Sequence, residues 1–212
     1  MNYCYIFWDN DGVLVDTERY YLQASREALA RVDIELSNEQ FAEISLAAGQ
    51  SIFDIAVTSG VSEQSIAELK EWRYWRYAGL LGQEEITLDG VADVLNDLHG
   101  RLGLAVVTSS QKHHFDIIHN RTGFLPYFDF CLTREDYTNS KPSAEPYQLA
   151  LEYSGLASEK ILVIEDSPRG LRAAKAAGLA CWVIPGHHTS AHDFPEADRI
   201  LSDIRDVMDL TL

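Results

Sequence analysis

The sequence predicts an α/β protein built on a doubly wound parallel sheet. From about residue 86 onward, short apolar runs alternate with segments of helical periodicity, a pattern that is typical of parallel sheets. The runs at 104–107, 161–164 and 180–184 are predicted strands, and a further strand is expected at 128–132. Residues 3–8 form a similar apolar run, so we expect them to join the same sheet.

Helices are predicted between these strands. Apolar residues at i, i+3, i+4 and i+7 spacing predict a helix over 91–98. Further helices are expected over 110–121, 144–153 and 168–177. The last of these precedes Gly178, a residue type that commonly ends helices. The acidic segment after Pro195 is expected to be a loosely packed end.

A helical insertion is predicted after the first strand. Residues 17–84 show helical patterning and no convincing strand, and Ser37 with Gln40 three residues later is a candidate capping box. We therefore expect a core domain formed by residues 1–16 and 86–212, and a helical cap domain formed by residues 17–85.

Composition narrows the classes of partner. The chain has 212 residues, 33 of them acidic and 17 basic, for a formal net charge of −16. Such a charge opposes binding to nucleic acid or anionic membranes. We find no signal-like N-terminus or membrane-length apolar run, and the three cysteines are expected to be reduced, so a cytoplasmic location is expected. The sequence leaves the oligomeric state open, monomer or dimer.

Polar residues follow the predicted strands at four places. Asp9 and Asp11 follow the first strand at i, i+2 spacing, which directs both side chains to one face. An acidic turn is the alternative interpretation of that pair taken alone. The other three places are Thr108-Ser109, Lys141-Pro142 and Glu165-Asp166. Because parallel strands end on the same side of a sheet, the four together predict a site with hard oxygen ligands for Mg²⁺, and with hydrogen-bond donors and one positive charge for a dianion.

These motifs resemble those of the haloacid dehalogenase superfamily, the aspartate-nucleophile phosphatases, over nearly the whole chain. The first motif is Asp9-Asn10-Asp11-Gly12-Val13-Leu14 with Asp16-Thr17-Glu18, and the other three places supply the remaining motifs. The resemblance implies a Rossmann-like core, and the insertion is similar to the helical cap of the β-phosphoglucomutase-like branch. Asn10, at a position that is often apolar, is a departure from the family pattern.

The resemblance implies a role for each motif residue. Asp9 is expected to attack phosphorus and form an aspartyl-phosphate, while Asp11 acts as general acid and base. Thr108, Ser109 and Lys141 are expected to hold the phosphoryl oxygens. Mg²⁺ is the implied cofactor. Its expected ligands are Asp9, the backbone carbonyl of Asp11, Asp166, and Glu165 as a ligand or as a partner of the ligands.

The expected activity is Mg²⁺-dependent hydrolysis of a small phosphomonoester, such as a sugar phosphate. Asp11 favours phosphoryl transfer over dehalogenation, because a leaving alkoxide needs an acid. A sugar phosphomutase is the alternative, but Tyr21 and Ile52 stand where its cap histidine and phosphate-binding arginine are expected. Arg73 is the candidate cap contact to the substrate.

A phospho-accepting regulatory or binding protein is the second alternative. Signalling receiver domains also place an aspartate, a hydroxyl residue, a lysine and an acidic pair at strand ends. Their acidic pair precedes the phosphorylated aspartate, whereas Glu165-Asp166 comes last here, and they lack a helical insertion. The substrate itself does not follow from the sequence.

Overall fold

The computed structural model describes residues 3–187 and 189–209, and its central feature is a six-stranded parallel sheet. The strand order is β3-β2-β1-β4-β5-β6. The strands are β1 (Tyr5–Trp8), β2 (Gly103–Val107), β3 (Phe130–Leu132), β4 (Ile161–Glu165), β5 (Ala180–Val183) and β6 (Arg199–Ile200). The predicted doubly wound α/β fold is confirmed, although the sequence analysis did not anticipate β6.

Helices cover the sheet and form the insertion. The α-helices are α1 (Glu18–Ala30), α2 (Asn38–Phe41), α3 (Asp54–Thr58), α4 (Glu63–Gln83), α5 (Val91–Leu98), α6 (Lys112–Thr122), α7 (Glu145–Ser154) and α8 (Pro168–Ala176). A π-helix (Ala42–Ala47) continues α2. Short 3₁₀ turns lie at Leu125–Tyr127, Arg134–Asp136, Ser158–Lys160, Ala191–Asp193 and Ile204–Asp209.

Strand β1 lies at the centre of the sheet and is buried on both faces. Successive strand residues point to opposite faces. Ile6 and Trp8 accordingly pack in one apolar layer, with α5 beneath them. Tyr5 and Phe7 pack in the other, against α7 and α8. β1 is therefore fixed from both sides, and the residues that follow it start from a rigid position.

The described part of the insertion consists of α1 to α4 and the π-helix, joined by turns and loops, and it contains no strand, as predicted. Its helices α1 and α4 pack on each other, and their apolar faces share a separate core that includes Leu29, Phe41 and Ile52. The capping box at Ser37 is present, with the Ser37 hydroxyl accepting from the Gln40 backbone N–H. The insertion leaves and rejoins the core at one place, where the Asp16 N–H donates to the Ile86 carbonyl at 2.9 Å.

The C-terminal segment is packed, so the expectation of a loose end after Pro195 was wrong. Leu201, Ile204 and Val207 are buried in the same apolar layer as α5. Arg205 adds an ion pair to Asp89, 2.6 Å away, just before α5. These three apolar residues recur every third position among many acidic ones. The spacing places one face of the terminal 3₁₀ turn on the core, but the acidic composition made the segment look like a loose end.

Membrane insertion through a helix finds no support in the structure. Within residues 3–187 and 189–209, every helix is too short or too polar to cross a bilayer.

We predict that Val207→Ala lowers the free energy of unfolding by about 2 kcal/mol, because two buried methyl groups are lost. Urea denaturation followed by circular dichroism measures this loss. Val57→Ala is the matched control, since Val57 is 57% exposed and its truncation should change stability by less than about 0.5 kcal/mol. Equal effects of the two substitutions would contradict the packed tail.

Candidate active site

The candidate site lies where the strand order reverses direction. From β1 the chain continues to β2 and β3 on one side, and then returns to β4 on the other side of β1. The carboxyl ends of β1, β2 and β4 diverge there, which is where open α/β sheets bind ligands. Asp9 follows β1, Thr108 follows β2 and Asp166 follows β4. The predicted motif residues are thus brought together.

Lys141 joins two of these strand ends. Its ammonium donates to Asp9 Oδ1 at 2.6 Å, to Glu165 Oε1 at 2.6 Å and to the Val107 carbonyl at 2.8 Å. Lys141 is only 2% exposed. Burial alone would lower the pKa of this ammonium, but the two carboxylates hold it above its ordinary value, so Lys141 stays charged.

Both carboxylate oxygens of Glu165 accept hydrogen bonds from other groups of the protein. Oε1 accepts from Lys141 and from the Tyr147 hydroxyl at 2.7 Å, and Oε2 accepts from the Ser167 hydroxyl at 3.1 Å and from nearby backbone N–H groups. Burial would raise the pKa of Glu165, but Lys141 and Tyr147 lower it overall. A Cβ on Gly170 would lie 2.0 Å from this carboxylate, so only glycine fits there.

Asp11 is held by hydroxyl donors. Its Oδ1 accepts from Thr17 at 2.5 Å, and its Oδ2 accepts from Ser110 at 2.7 Å and Thr108 at 3.2 Å. Thr17 and Ser110 were not among the predicted site residues. The sequence contained Ser110 in the run Thr108-Ser109-Ser110, and Thr17 immediately before α1, but spacing did not show that both face Asp11.

Three carboxylates form a compact buried cluster. Asp9, Glu165 and Asp166 each place one oxygen within 4.8 Å of the others. Burial first, and then the neighbouring carboxylates, raise the pKa of Asp166 well above its ordinary value, and they raise that of Asp9 to about 7 despite Lys141. This excess of buried negative charge is what a bound cation would offset.

The surroundings of the cluster fit a hard cation. A Cβ on Gly12 would lie 1.8 Å from Asp166 Oδ2, so Gly12, at φ +88°, makes room for the Asp166 carboxylate, which any side chain there would displace from the cluster. All the donors are carboxylate oxygens, the ligand type that Mg²⁺ prefers. The Asp11 side chain lies outside the cluster because hydroxyl groups engage it.

Ser109 provides a donor with no partner among the described residues. Its Oγ is buried and lacks a hydrogen bond there, while it borders the cavity in front of Asp9. A buried hydroxyl in that state costs free energy unless a ligand satisfies it. Thr108, by contrast, is already bound to Asp11 and to the Ser110 backbone N–H.

A cavity of about 300 Å³ separates the core from the helical insertion. The core side of its lining includes Asp9, Asp11, Asp166, Ser109 and two residues with no predicted role, Arg134 and Arg169. The insertion side includes Glu18, Tyr21 and Arg73. Glu18 is another residue that sequence reasoning missed, and burial raises its pKa to about 7 although Arg169 opposes the shift.

Arg73 reaches this cavity from α4. Its Nη1 donates to the Tyr21 hydroxyl at 2.7 Å, and its guanidinium lies over the rings of Tyr21 and Phe53. Ile52 is 1% exposed in the core of the insertion. The two positions at which a mutase would carry a histidine and an arginine are therefore occupied by a tethered tyrosine and a buried aliphatic side chain.

A match to a protein-family model identifies the family of this chain. The haloacid dehalogenase-like hydrolase model matches residues 6–184. The chain belongs to this family. The expected superfamily membership is confirmed, and the match spans all four motifs of the haloacid dehalogenase-like pattern.

Individual relatives extend the likeness over most of the chain. Protein CbbY of Cereibacter sphaeroides is 29% identical over 213 residues, covering 95% of this chain and 93% of CbbY. Fructose-1-phosphate phosphatase YqaB of Escherichia coli is 26% identical over 186 residues, covering 84% of this chain and 94% of YqaB.

A solved structure resembles the whole chain. It is a mutant of CbbY from Rhodobacter sphaeroides in complex with xylulose-(1,5)bisphosphate, with a TM-score of 0.82, 29% identity and 95% coverage of both chains. The Rossmann-like haloacid dehalogenase fold is thereby confirmed.

We predict that Lys141→Met lowers the free energy of unfolding by about 3–5 kcal/mol, because it leaves two buried carboxylates without their cation. The measurement is urea denaturation in the presence of EDTA, so that no metal ion substitutes for the ammonium. Lys112→Met is the control, since Lys112 forms an exposed pair with Asp116 and should contribute less than about 1 kcal/mol. Similar losses for both lysines would refute the structural role of Lys141.

Proposed function

We propose that the protein is a Mg²⁺-dependent phosphatase that hydrolyses a small phosphorylated metabolite, of the sugar phosphate class, through an aspartyl-phosphate. The observation that carries the proposal is the carboxylate of Asp9, fixed by Lys141 at the mouth of a cavity that also contains the unpartnered Ser109 hydroxyl. Membership in a family of hydrolases supports the reaction class.

In the first step, Asp9 attacks phosphorus. Lys141 binds Oδ1 at 2.6 Å, so we assign the attack to Oδ2. A bond forms between that oxygen and phosphorus while the bond to the ester oxygen breaks. Asp11 donates its proton to the departing alkoxide.

In the second step, water hydrolyses the aspartyl-phosphate. Asp11, now ionised, takes a proton from the water as the water oxygen attacks phosphorus. The bond between phosphorus and Asp9 breaks, and inorganic phosphate leaves. Thr17 and Ser110 hold the Asp11 carboxylate by hydrogen bonds between these two proton transfers.

Ser109 and Lys141 contribute differently to phosphate binding. The Ser109 hydroxyl is available to donate to a phosphoryl oxygen. Lys141 directs all three N–H bonds at protein acceptors, so its charge, rather than a free donor, acts on the phosphoryl group. Thr108 holds Asp11 and donates to the substrate only after its hydroxyl rotates.

The proposed Mg²⁺ ligands are Asp9, Asp166 and the Asp11 carbonyl. When bound, the ion would neutralise phosphoryl charge and keep the Asp9 carboxylate ionised. Glu165 is proposed as a partner of Lys141 rather than a ligand, because both of its oxygens already accept hydrogen bonds. In this role it completes the charge balance around Asp9.

We assign substrate selection to the cap, residues 17–85, over a core of residues 1–16 and 86–212. Val15 and Thr87 pair at the two crossings, which supports these boundaries. Arg73 is proposed to contact the leaving group. Two relatives support this substrate class: one is a fructose-1-phosphate phosphatase, and the structure of the other contains xylulose-(1,5)bisphosphate.

We predict that the protein releases phosphate from p-nitrophenyl phosphate with Mg²⁺, and that EDTA abolishes the release. Asp9→Asn should remove activity, because the amide is a poor nucleophile, and Asp11→Asn should lower kcat on a sugar phosphate by about 10²–10⁴-fold. Asp116→Asn, on the exposed side of α6, is the control and should retain full activity. Phosphate release at the wild-type rate by Asp9→Asn would contradict the mechanism.

We predict that Arg73→Met raises KM for fructose 1-phosphate by about tenfold, because a charge-assisted contact is lost. The KM for p-nitrophenyl phosphate, which lacks a sugar, should change much less. Arg76→Met is the matched control on the same helix, since Arg76 pairs with Glu27 and does not border the cavity. Equal changes for both arginines would exclude the proposed contact.

A further inference from the structure

His114, on α6, is a buried histidine at the boundary between the core and the insertion. It is 6% exposed, and it borders the same cavity as Asp11. The rings of Tyr74 and Tyr77, both on α4, pack against its imidazole with centroid separations of 4.5 and 4.8 Å. The proposed mechanism gives His114 no role, so a polar ring held in this place calls for a physical explanation.

One ring nitrogen of His114 joins the core to the insertion. Nε2 lies 3.1 Å from the backbone carbonyl of Tyr74. Because a carbonyl oxygen can only accept, Nε2 carries a hydrogen and donates it. Burial lowers the pKa of His114 below its ordinary value, so the ring is neutral near neutral pH and Nδ1 carries a lone pair.

The other nitrogen is an acceptor without a donor. Nδ1 of His114 accepts no hydrogen bond from the described residues. It is also not one of the polar side-chain atoms of the described residues that are fully buried without a partner, so open space lies beside it. The cavity is the open space that His114 borders. A molecule in the cavity therefore meets an imidazole lone pair.

The neighbours of His114 place this acceptor beside the alcohol part of the substrate. Asp11, the proposed proton donor to the departing oxygen, is close enough for its charge to oppose the effect of burial on the pKa of His114, and Arg73 is close enough to add to it. Arg73 supplies hydrogen-bond donors and His114 an acceptor. A hydroxyl group can use both, because it donates and accepts, whereas a carboxylate only accepts.

We propose that His114 is a specificity-determining residue whose Nδ1 accepts a hydrogen bond from a hydroxyl of the group that is esterified to phosphate. The inference rests on the proposed phosphatase function and deepens it, because it makes the substrate a phosphorylated polyhydroxy compound rather than a phosphorylated carboxylic acid. A carboxylate oxygen at Nδ1 would set one lone pair against another and leave both without a donor.

The test separates the roles of the two nitrogens. His114→Gln keeps a side-chain N–H near the position of Nε2, where it can still donate to the Tyr74 carbonyl, and it removes the acceptor at Nδ1. His114→Asn does the reverse, since its amide oxygen lies near the position of Nδ1. His113→Gln is the matched control, because His113 precedes His114 on α6, is exposed and does not border the cavity.

The substrates differ in what the leaving group offers to Nδ1. Fructose 1-phosphate, glucose 6-phosphate and ribose 5-phosphate carry hydroxyl groups, phosphoglycolate carries a carboxylate and no free hydroxyl, and p-nitrophenyl phosphate carries neither. We would measure kcat/KM near neutral pH with Mg²⁺ for the wild type and each variant. Urea denaturation of the same samples reports whether the contact to Tyr74 is kept.

We expect the wild type to hydrolyse at least one sugar phosphate with a higher kcat/KM than phosphoglycolate. His114→Gln should lower kcat/KM for that sugar phosphate about five- to tenfold relative to p-nitrophenyl phosphate, the loss expected for one hydrogen bond. His114→Asn should keep most of that ratio, although it should unfold at lower urea concentration because the contact to Tyr74 is lost. His113→Gln should change neither quantity.

The outcomes distinguish failure of this inference from failure of the proposed function. An unchanged ratio in His114→Gln, an equal loss on every substrate, or a wild-type preference for phosphoglycolate would overturn the hydroxyl contact while the phosphatase function stands. Release of phosphate from p-nitrophenyl phosphate but from no sugar phosphate would overturn the proposed substrate class and this inference with it. Failure to release phosphate from any of the compounds would overturn the proposed function itself.

Discussion

The ammonium of Lys141 is the constraint on which the rest of the site depends. The fold ends two neighbouring strands in carboxylates, and without a cation their mutual repulsion would oppose the pairing of β1 with β4. Lys141 offsets that repulsion at the carboxyl ends of these two strands. There it is 2% exposed and bound to Asp9, Glu165 and a strand carbonyl. Stability and the proposed reactivity are therefore linked at this residue, because the same contact fixes Asp9, the proposed nucleophile.

The net charge of −16 opposes the binding of an anionic substrate at this site. A phosphorylated metabolite approaches a protein whose overall field repels it. Positive side chains offset this field inside the cavity, because Arg73, Arg134 and Arg169 line it beside the buried Lys141. Recognition then depends on short-range contacts inside an enclosed space, where screening by salt is weaker than at the surface.

Sequence patterns predicted the features that depend on local periodicity and motif order. The alternating strands, the insertion after β1 and the meeting of the strand-end residues follow from apolar runs and from the topology of parallel sheets. The pairing of Asn10 with His119 could not be predicted, because the two residues are 109 positions apart and this separation gives no register for α6 against β1. The tail was misjudged for a related reason, since its burial depends on a groove beside α5 that only the folded core provides.

The position of β1 has a consequence for synthesis on the ribosome. The cation of Asp9 is translated 132 residues after it, and both neighbours of β1 in the sheet, β2 and β4, are also translated after β1. The nascent chain therefore carries this apolar strand with no sheet partner until β2 (Gly103–Val107) has been translated. Such long-range pairing folds slowly, and it leaves the strand open to aggregation until its partners are available.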